Sequence, residues 1–338
     1  ISPRKRMDSS YQQRESMMVN SSRYYSTYSG HDVHYLQDIY DNLKEAGKTK
    51  FVFLAGDSSL DNKYWFTDTR KALNGYEAIL SPPVMKADVC YHFNYEMEKR
   101  CLASSACLNT AVEASSLNSR SMCQLLDQDI FIRDHIGPDD TLVVSVGGND
   151  IALTPLLFTV LNILPLACCT PLPFLENCAC ACPPNLHIDP GCLCCGLPGC
   201  LSGLAGFPLG MGYFVDLFKN RVQNYVNRLV ARTKPKNICI CMIYNPDEVA
   251  GGSWADTSLS LLCYNFAPAR LQCLIRTVFR LATSQIKIEG TNVVPVPLFQ
   301  VLDGKNTEDY CERVEPSPQG SAKMAAAIMD SIQSAESC

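Results

Sequence analysis

Short apolar runs of strand length alternate along this chain with longer segments whose apolar residues recur at helical spacing. The short runs are continuously apolar, which is typical of strands that are covered on both faces. Strand–helix alternation predicts a parallel sheet between two layers of helices. We therefore expect an α/β fold, a three-layer α/β/α sandwich with a parallel sheet of about five strands. The predicted strands lie in residues 50–58, 87–94, 139–150, 236–246 and 291–302.

The predicted helices lie between and after these strands. In residues 213–232 the apolar side chains step by three and four, which makes one apolar stripe. Pro268 is expected to interrupt or kink a helix, and the two prolines of the last strand favour an edge position in the sheet. The predicted helices cover residues 115–132, 213–232, 257–284 and a C-terminal segment that starts at Pro316–Pro318.

The start of the chain differs in composition from the rest. Residues 1–30 are polar, rich in Ser and Tyr and without apolar periodicity, which predicts a disordered tail. They contain no apolar core of the kind that a secretory signal needs, although a chain that begins with Ile is expected to lack its original start. We assign residues 1–47 to this tail and a lead-in helix, and residues 48–338 to one domain.

Charge and cysteine content restrict the partners and the compartment. The net charge is -5, and no stretch shows the clustered basic residues that a phosphate backbone requires, so nucleic acid is not an expected partner. Nineteen cysteines are present, several of them inside apolar runs where a free thiol behaves as a small buried hydrophobe. Scattered cysteines favour a reducing compartment such as the cytoplasm. The localisation otherwise stays open.

An apolar and Cys-rich insertion at residues 151–212 interrupts the domain. Its first part is long enough to cross a bilayer, but four prolines break it, and we expect either a buried helix with a loop or a lid beside the active site. A lid would allow peripheral membrane contact. The second part contains candidate ligands for a structural zinc site, with disulfides, lipidated cysteines, or neither ligand nor bridge as alternatives: Cys178, Cys182, Cys192 and Cys195.

Polar residues stand at the ends of three of the predicted strands. Ser58 follows Gly56-Asp57, Asn149 follows Gly147-Gly148, and Glu315 comes shortly after the last strand. Ligands of open α/β sheets bind at the carboxyl ends of the strands, where these side chains would meet. Taken singly, each motif is weak, because a Ser after a strand is more often a helix N-cap than a nucleophile.

Taken in order, these motifs resemble those of the SGNH/GDSL hydrolase family. GDSSL at 56–60 matches the block that carries the nucleophile, and GGND at 147–150 matches the block that carries an oxyanion-binding Asn. NTAVEASS at 109–116 is similar to the block in which a glycine donates its backbone N–H, and here Ala114 holds that place. The resemblance covers residues 50 to 335 without the insertion. It implies Ser58 as nucleophile and Asn149, with the N–H groups of Ser58 and Ala114, as the oxyanion hole.

The fourth block departs from the family pattern. ERVEPS at 312–317 places Glu312 where the family has Asp and Glu315 where it has the catalytic His. An ordinary glutamate is a weak base toward a serine, but two nearby carboxylates or burial raise its pKa. We expect Glu315 to be the base and Glu312 to raise its pKa, unless Arg313 pairs with both. Of the five histidines, His92 is the best substitute.

The resemblance implies a serine-dependent ester hydrolase or acyltransferase without an organic cofactor, acting on an acyl or acetyl ester, including lipid esters. The alternative is a catalytically inactive protein of the same fold that binds a ligand or a protein partner. Glu315 within hydrogen-bond reach of Ser58 would favour the enzyme. An Arg313–carboxylate pair that faces away from Ser58 would favour the binding protein.

Overall fold

A five-stranded parallel sheet forms the centre of the computed structural model, which describes residues 18–117, 120, 124–152, 157–177 and 210–337. The strands are β1 (Val19–Asn20), β2 (Lys50–Gly56), β3 (Thr69–Lys71), β4 (Leu80–Ser81), β5 (Val84–Lys86), β6 (Ser105–Leu108), β7 (Thr141–Ser145), β8 (Asn237–Met242) and β9 (Asn292–Pro297). The order in the central sheet is β6-β2-β7-β8-β9, which confirms the predicted parallel sheet and the edge position of the proline-containing strand. β1 pairs with β4, and β3 with β5, outside it.

Helices cover both faces of this sheet. They are α1 (Ser21–Tyr24), α2 (Val33–Glu45), α3 (Val89–Lys99), α4 (Asp127–His135), α5 (Gly148–Ala152), α6 (Leu157–Leu164), α7 (Leu172–Glu176), α8 (Met211–Val215), α9 (Val222–Leu229), α10 (Asp256–Leu261), α11 (Pro268–Leu281) and α12 (Pro318–Ser337). A π-helical turn, Pro165–Cys169, follows α6, and another, Asp216–Arg221, joins α8 to α9. Short 3-10 turns lie at Lys63–Trp65, Tyr76–Ala78, Thr283–Gln285, Leu298–Gln300 and Thr307–Asp309.

The side chains of β2 show how the three layers form. Successive side chains of a strand point to opposite faces. Phe51 and Phe53 enter the core beneath α2, α4, α9 and α11, whereas Val52 and Leu54 enter the core beneath α3 and α12. Both cores are fully apolar at the sheet, so a continuously apolar strand is required. This is the predicted α/β/α sandwich.

The segment at 87–94 is a helix, and its prediction as a strand is wrong. The Asp88 carboxylate accepts a hydrogen bond from the Tyr91 N–H at 2.8 Å, which caps the first turn of α3. Val89, Phe93 and Met97 then recur every four residues and are buried. The second strand of the sheet is instead β6, four residues that follow this helix.

Two further predictions need correction, and one is confirmed. Within the described part of the helix predicted over 115–132, Leu117 and Arg120 are helical, residues 124–126 are not, and α4 begins at Asp127. The predicted interruption at Pro268 is confirmed, because α10 ends at Leu261 and Pro268 begins α11, where its missing N–H costs nothing. Residues 18–30 are not disordered, because they form β1 and α1 and bury Tyr24, whereas residues 1–17 lie outside the described part of the chain.

The first part of the insertion packs on α11. A disulfide joins Cys168 to Cys263, with a Cα–Cα distance of 5.9 Å, and Arg270 donates a hydrogen bond to the Cys168 carbonyl at 2.9 Å. Among the helices within the described ranges, none is both long and apolar enough to cross a bilayer. The zinc candidates Cys178, Cys182, Cys192 and Cys195 lie outside the described residues.

Candidate active site

The order of the strands determines where a ligand can bind. From β2 the chain first adds β6 on one side and then β7 on the other, so the connections diverge between β2 and β7. Such a divergence opens a crevice at the carboxyl ends of the two strands. Ser58 lies two residues after β2, and Asn149 lies in the first turn of α5, directly after β7.

Gly147 makes the second of these turns feasible. Its φ is +101°, in the region that glycine favours, and a Cβ at this position would lie 2.8 Å from the Phe218 ring. The glycine therefore lets β7 turn into α5 while Phe218 packs against the turn.

Ser58, Asn149 and Glu315 line the same cavity. The volume of the cavity is about 90 Å³. Nearly all of the remaining wall is apolar. It includes Ile151, Ile163, Phe214, Phe218, Met242, Leu259, Leu262, Leu271, Leu274, Ile275 and Val278.

The Glu315 carboxyl interacts with the Ser58 hydroxyl at the polar end of this cavity. Only 2% of Glu315 is exposed, and its Oε2 has no hydrogen-bond partner among the described residues. Burial, with smaller contributions from the charges of Glu113 and Asp57, raises the pKa of Glu315 to about 8, and the interaction with the Ser58 hydroxyl opposes the shift. A carboxyl with such a pKa is a far better proton acceptor than an ordinary glutamate.

Glu312 contributes less than expected. Its charge raises the pKa of Glu315, but burial, Glu113 and Asp57 all have larger effects in that direction. The Glu312 Oε2 accepts a hydrogen bond from the Trp254 N–H at 3.4 Å. Arg313 pairs with neither glutamate, because its guanidinium binds Asp256 at 2.8 Å and the Asp247 carbonyl.

Of the oxyanion-hole candidates, Asn149 lines the cavity with Ser58, and Ala114 lies two residues after Val112, whose N–H donates to the Gly56 carbonyl. The N–H groups of Ser58 and Ala114 donate no hydrogen bond to any other described residue, and the Asn149 amide donates one to the Ser115 carbonyl at 2.9 Å. The φ of Ala114 is +59°, so the substitution of the family's glycine places a methyl group in a left-handed conformation. A side chain there costs about 1–2 kcal/mol. Ala114 is exposed beside the cavity rather than part of its lining.

Two residues of this region were not predicted. Glu113 is 2% exposed and precedes Ala114, and Tyr28 interacts with its carboxyl. Glu113 stands in the block quoted for Ala114, but no pattern there marks it as functional. Tyr28 belongs to the segment that was predicted to be disordered.

None of the described residues that line the cavity is a histidine. His92 lies in α3, where burial lowers its pKa to about 4, and it does not reach Ser58. His31 is buried against the Tyr24 ring. His92 is therefore not the substitute base. Groups of three or more metal-binding side chains are also absent from the described ranges.

Comparisons with known proteins find similar folds only. No family model matches the sequence, and no curated protein matches it. An acetyl xylan esterase variant from Geobacillus stearothermophilus is 14% identical, with 85% of this chain and 95% of that chain covered and a TM-score of 0.42. A Streptomyces rimosus extracellular lipase is 10% identical, with 85% and 99% covered and a TM-score of 0.39.

A third structure belongs to a carbohydrate esterase family 3 protein from Talaromyces cellulolyticus. It is 10% identical, with 86% of this chain and 100% of that chain covered and a TM-score of 0.38. By their names, these three proteins are two esterases and a lipase. Similarities of this size leave the function of the present chain to be inferred from its own residues.

Proposed function

We propose that this chain is a serine-dependent ester hydrolase or acyltransferase whose base is Glu315. The observation that carries the proposal is the interaction of the Ser58 hydroxyl with a buried carboxyl of raised pKa at the polar end of an apolar cavity. The proposed nucleophile Ser58, the proposed base Glu315 and Asn149 line the same cavity. Ser58 and Asn149 together serve catalysis better than folding.

Acylation begins when ionised Glu315 accepts the proton of the Ser58 hydroxyl while Oγ bonds to the ester carbonyl carbon. The carbonyl π electrons move to oxygen, and the N–H groups of Ser58 and Ala114 with the Asn149 amide stabilise the resulting charge. The tetrahedral intermediate then collapses. The alkoxide leaves with the proton that Glu315 accepted, and an acyl-serine remains.

Deacylation repeats these steps with a second nucleophile. Glu315 accepts a proton from water, the oxygen adds to the acyl carbon, and Ser58 leaves and regains the proton from Glu315. An alcohol in place of water gives acyl transfer instead of hydrolysis. Glu315 returns to its ionised form in both reactions, so the cycle needs no cofactor.

The lining of the cavity supports an acyl ester as substrate. Beyond Ser58 the wall is built of aliphatic and aromatic side chains, which favours a hydrocarbon chain over a sugar. Leu161, Phe174 and Phe266 are exposed, and the Cys168–Cys263 disulfide joins the segments that carry them. We further propose that these three exposed apolar side chains contact lipid surfaces, so that lipid esters are among the substrates.

One observation favours the alternative, a binding protein without catalysis. With a pKa of about 8, only about one-tenth of Glu315 is ionised at pH 7. The neutral acid donates a hydrogen bond instead of accepting a proton. An apolar cavity closed by a neutral acid would hold an acyl ligand without reacting with it.

Fluorophosphonate labelling from pH 5 to 9 separates the two functions. We expect labelling at Ser58 that rises with pH toward 8 and above, and none with Ser58→Ala or Glu315→Gln. Ser59→Ala is the matched control, because the Ser59 hydroxyl bonds to Ser145 at 2.7 Å and takes no part in the proposed chemistry.

Three outcomes count against the proposal in different ways. Normal labelling of Glu315→Gln would assign the base to another group. A folded wild type that never labels, but binds a fatty acid in a titration, would establish the binding protein. Labelling at a residue other than Ser58 would remove the proposed nucleophile.

A further inference from the structure

Glu113 is fixed beside the nucleophile by its own backbone. The N–H of the preceding residue, Val112, donates to the Gly56 carbonyl at 2.9 Å, at the point where β2 turns toward Ser58. The Glu113 N–H donates to Asp61 Oδ2 at 2.9 Å. The turn that carries Glu113 and Ala114 is therefore fixed against the turn that carries Ser58, and the position of Glu113 depends on two buried hydrogen bonds.

The Glu113 carboxyl lacks a compensating charge. It is 2% exposed, and its Oε2 has no hydrogen-bond partner among the described residues. The nearby ammonium group of Lys63 is held by Asp61 at 2.7 Å, and that of Lys86 donates to the Lys63 carbonyl at 2.9 Å. A buried carboxylate that shares no cation favours its neutral form.

The turn after β2 joins the segments of the two buried carboxyls, because Asp61 accepts from the Glu113 N–H and the adjacent Asn62 amide donates to the Pro316 carbonyl at 2.9 Å. The Glu113 charge is the largest effect on Glu315 after burial, and Tyr28 interacts with Glu113 while the charges of both glutamates act on it. Burial also raises the pKa of Glu113 to about 8, with the Asp61 charge adding to the shift. Two such groups lose their protons in sequence rather than together.

We propose that Glu113 is a positioning residue that controls when Glu315 can act as a base, because the turn after β2 anchors the segments of two buried carboxyls and neither of them pairs with a cation of the described residues. This inference rests on the function proposed above. Glu113 thereby has the role that was expected of Glu312.

Other charged and titratable groups face the pair. Those that face Glu315, besides Glu113, are Asp57, Tyr28, Tyr244, Cys311 and Glu312. Those that face Glu113, besides Glu315, are Tyr28, Asp61, Lys63 and Lys86. The two cations among these groups are held by other partners, because Lys63 pairs with Asp61 and Lys86 donates to the Lys63 carbonyl. When the Glu113 charge is removed, neither cation is therefore freed to pair with Glu315.

The experiment is a carbon-13 NMR titration of glutamate carboxyls from pH 5 to 10, together with the pH profile of Ser58 labelling. Glu315→Gln identifies the Glu315 signal. In Glu113→Gln we expect both the Glu315 titration and the rise of labelling to move to lower pH by about 0.5 to 1 pH unit. Glu113→Asp, which retains a carboxyl, is expected to lie between the wild type and Glu113→Gln.

Glu45→Gln, an exposed position on α2, is the matched control and should move neither curve. An unchanged Glu315 titration in folded Glu113→Gln overturns the inference even if Ser58 labels normally. If that variant does not fold, a Glu315 titration in Glu113→Asp equal to that of the wild type overturns it as well. A shifted titration in a protein whose Ser58 never labels supports the role of Glu113 and overturns only the proposed hydrolase.

Discussion

Arg313 donates from its Nη1 to Asp256 Oδ1 at 2.8 Å, which turns its charge away from Glu315, two residues along the chain. Its Nε and Nη2 bind the Asp247 carbonyl at 3.1 and 3.0 Å. The nearest arginine in sequence is thus occupied elsewhere. Glu315 is left buried among other acids, and this accounts for its raised pKa.

The first prediction concerns stability against pH. The unfolded chain ionises a glutamate near pH 4, whereas folded Glu315 keeps its proton until about pH 8, so the folded protein binds more protons in between and stability falls as pH rises. Each pH unit by which a pKa moves corresponds to about 1.4 kcal/mol. We expect Glu315→Gln to reduce the loss of unfolding free energy between pH 5.5 and 8.5 by on the order of 3 kcal/mol.

Urea denaturation at the two pH values measures this loss. Glu45→Gln, exposed on α2, provides the comparison and is expected to lose as much stability as the wild type. A Glu315→Gln variant with the same loss as the wild type would show that Glu315 ionises normally in the folded protein.

The second prediction is that Ala114→Gly retains activity and is at least as stable as the wild type. Glycine relieves a left-handed conformation that costs about 1–2 kcal/mol for other residues, and its greater freedom in the unfolded chain offsets about 0.4–1 kcal/mol of that gain. The N–H that is proposed for the oxyanion hole is retained. Thermal unfolding and the rate of ester hydrolysis measure the two effects.

Ala114→Val is the contrasting variant. A β-branched side chain is a genuine outlier at positive φ, so we expect lower stability. An Ala114→Val variant that is as stable as Ala114→Gly would contradict the left-handed conformation of residue 114.

Most of the central sheet could be predicted, because strands buried on both faces leave continuous apolar runs. β2, β7, β8 and β9 all fall within predicted segments. The segment at 87–94 could not be assigned, since a short apolar run does not distinguish a strand from a buried helix. The cap of Asp88 and the packing of α3 on α12 decide the outcome, and both depend on the folded chain.

The candidate site was predicted only in part. The carboxyl ends of parallel strands share one edge, so motifs after β2 and β7 place Ser58 and Asn149 together from sequence alone. Glu113 and Tyr28 could not be found in this way. Their relation to Glu315 joins three segments that are far apart in the chain, and no periodicity records such a contact.

The third prediction concerns Asn149. Removal of one oxyanion donor typically lowers kcat by about 10²–10³-fold, and we expect this from Asn149→Ala if its amide acts as proposed. The same amide donates to the Ser115 carbonyl, so stability should fall by about 1 kcal/mol as well. Hydrolysis of a soluble ester, with thermal unfolding alongside, measures both. A loss of stability without a loss of rate would assign Asn149 a structural role only.

The fourth prediction tests the acyl cavity. Ile275 lies on α11, is 3% exposed and contributes to the cavity wall. Ile275→Trp should fill the space, so that hydrolysis of octanoyl esters falls more than 10-fold relative to acetyl esters. Overpacking costs about 1–3 kcal/mol of stability. Ile288→Trp, at a buried position outside the lining, is the matched control, and an equal change of chain-length preference in both variants would contradict an acyl chain in this cavity.

The fifth prediction concerns the disulfide between the insertion and the loop before α11. Cys168 and Cys263 are 95 residues apart, and a cross-link over a loop of that length contributes about 3–5 kcal/mol. Ile163 and Leu262, which line the cavity, lie close in sequence to the two cysteines. The bond therefore holds two walls of the cavity together, and its loss should lower stability and weaken the chain-length preference.

Dithiothreitol and the double variant Cys168→Ser with Cys263→Ser provide two independent routes to this state. The reductant should shift the unfolding midpoint and the acyl-chain profile of the wild type toward those of the double variant, and should leave the double variant unchanged. A single Cys101→Ser variant, at an exposed free thiol, controls for the loss of a cysteine. If the profile of the wild type does not respond to reduction although the bond is broken, the walls are held by packing and by hydrogen bonds such as that from Arg270 to the Cys168 carbonyl, and the disulfide contributes only to stability.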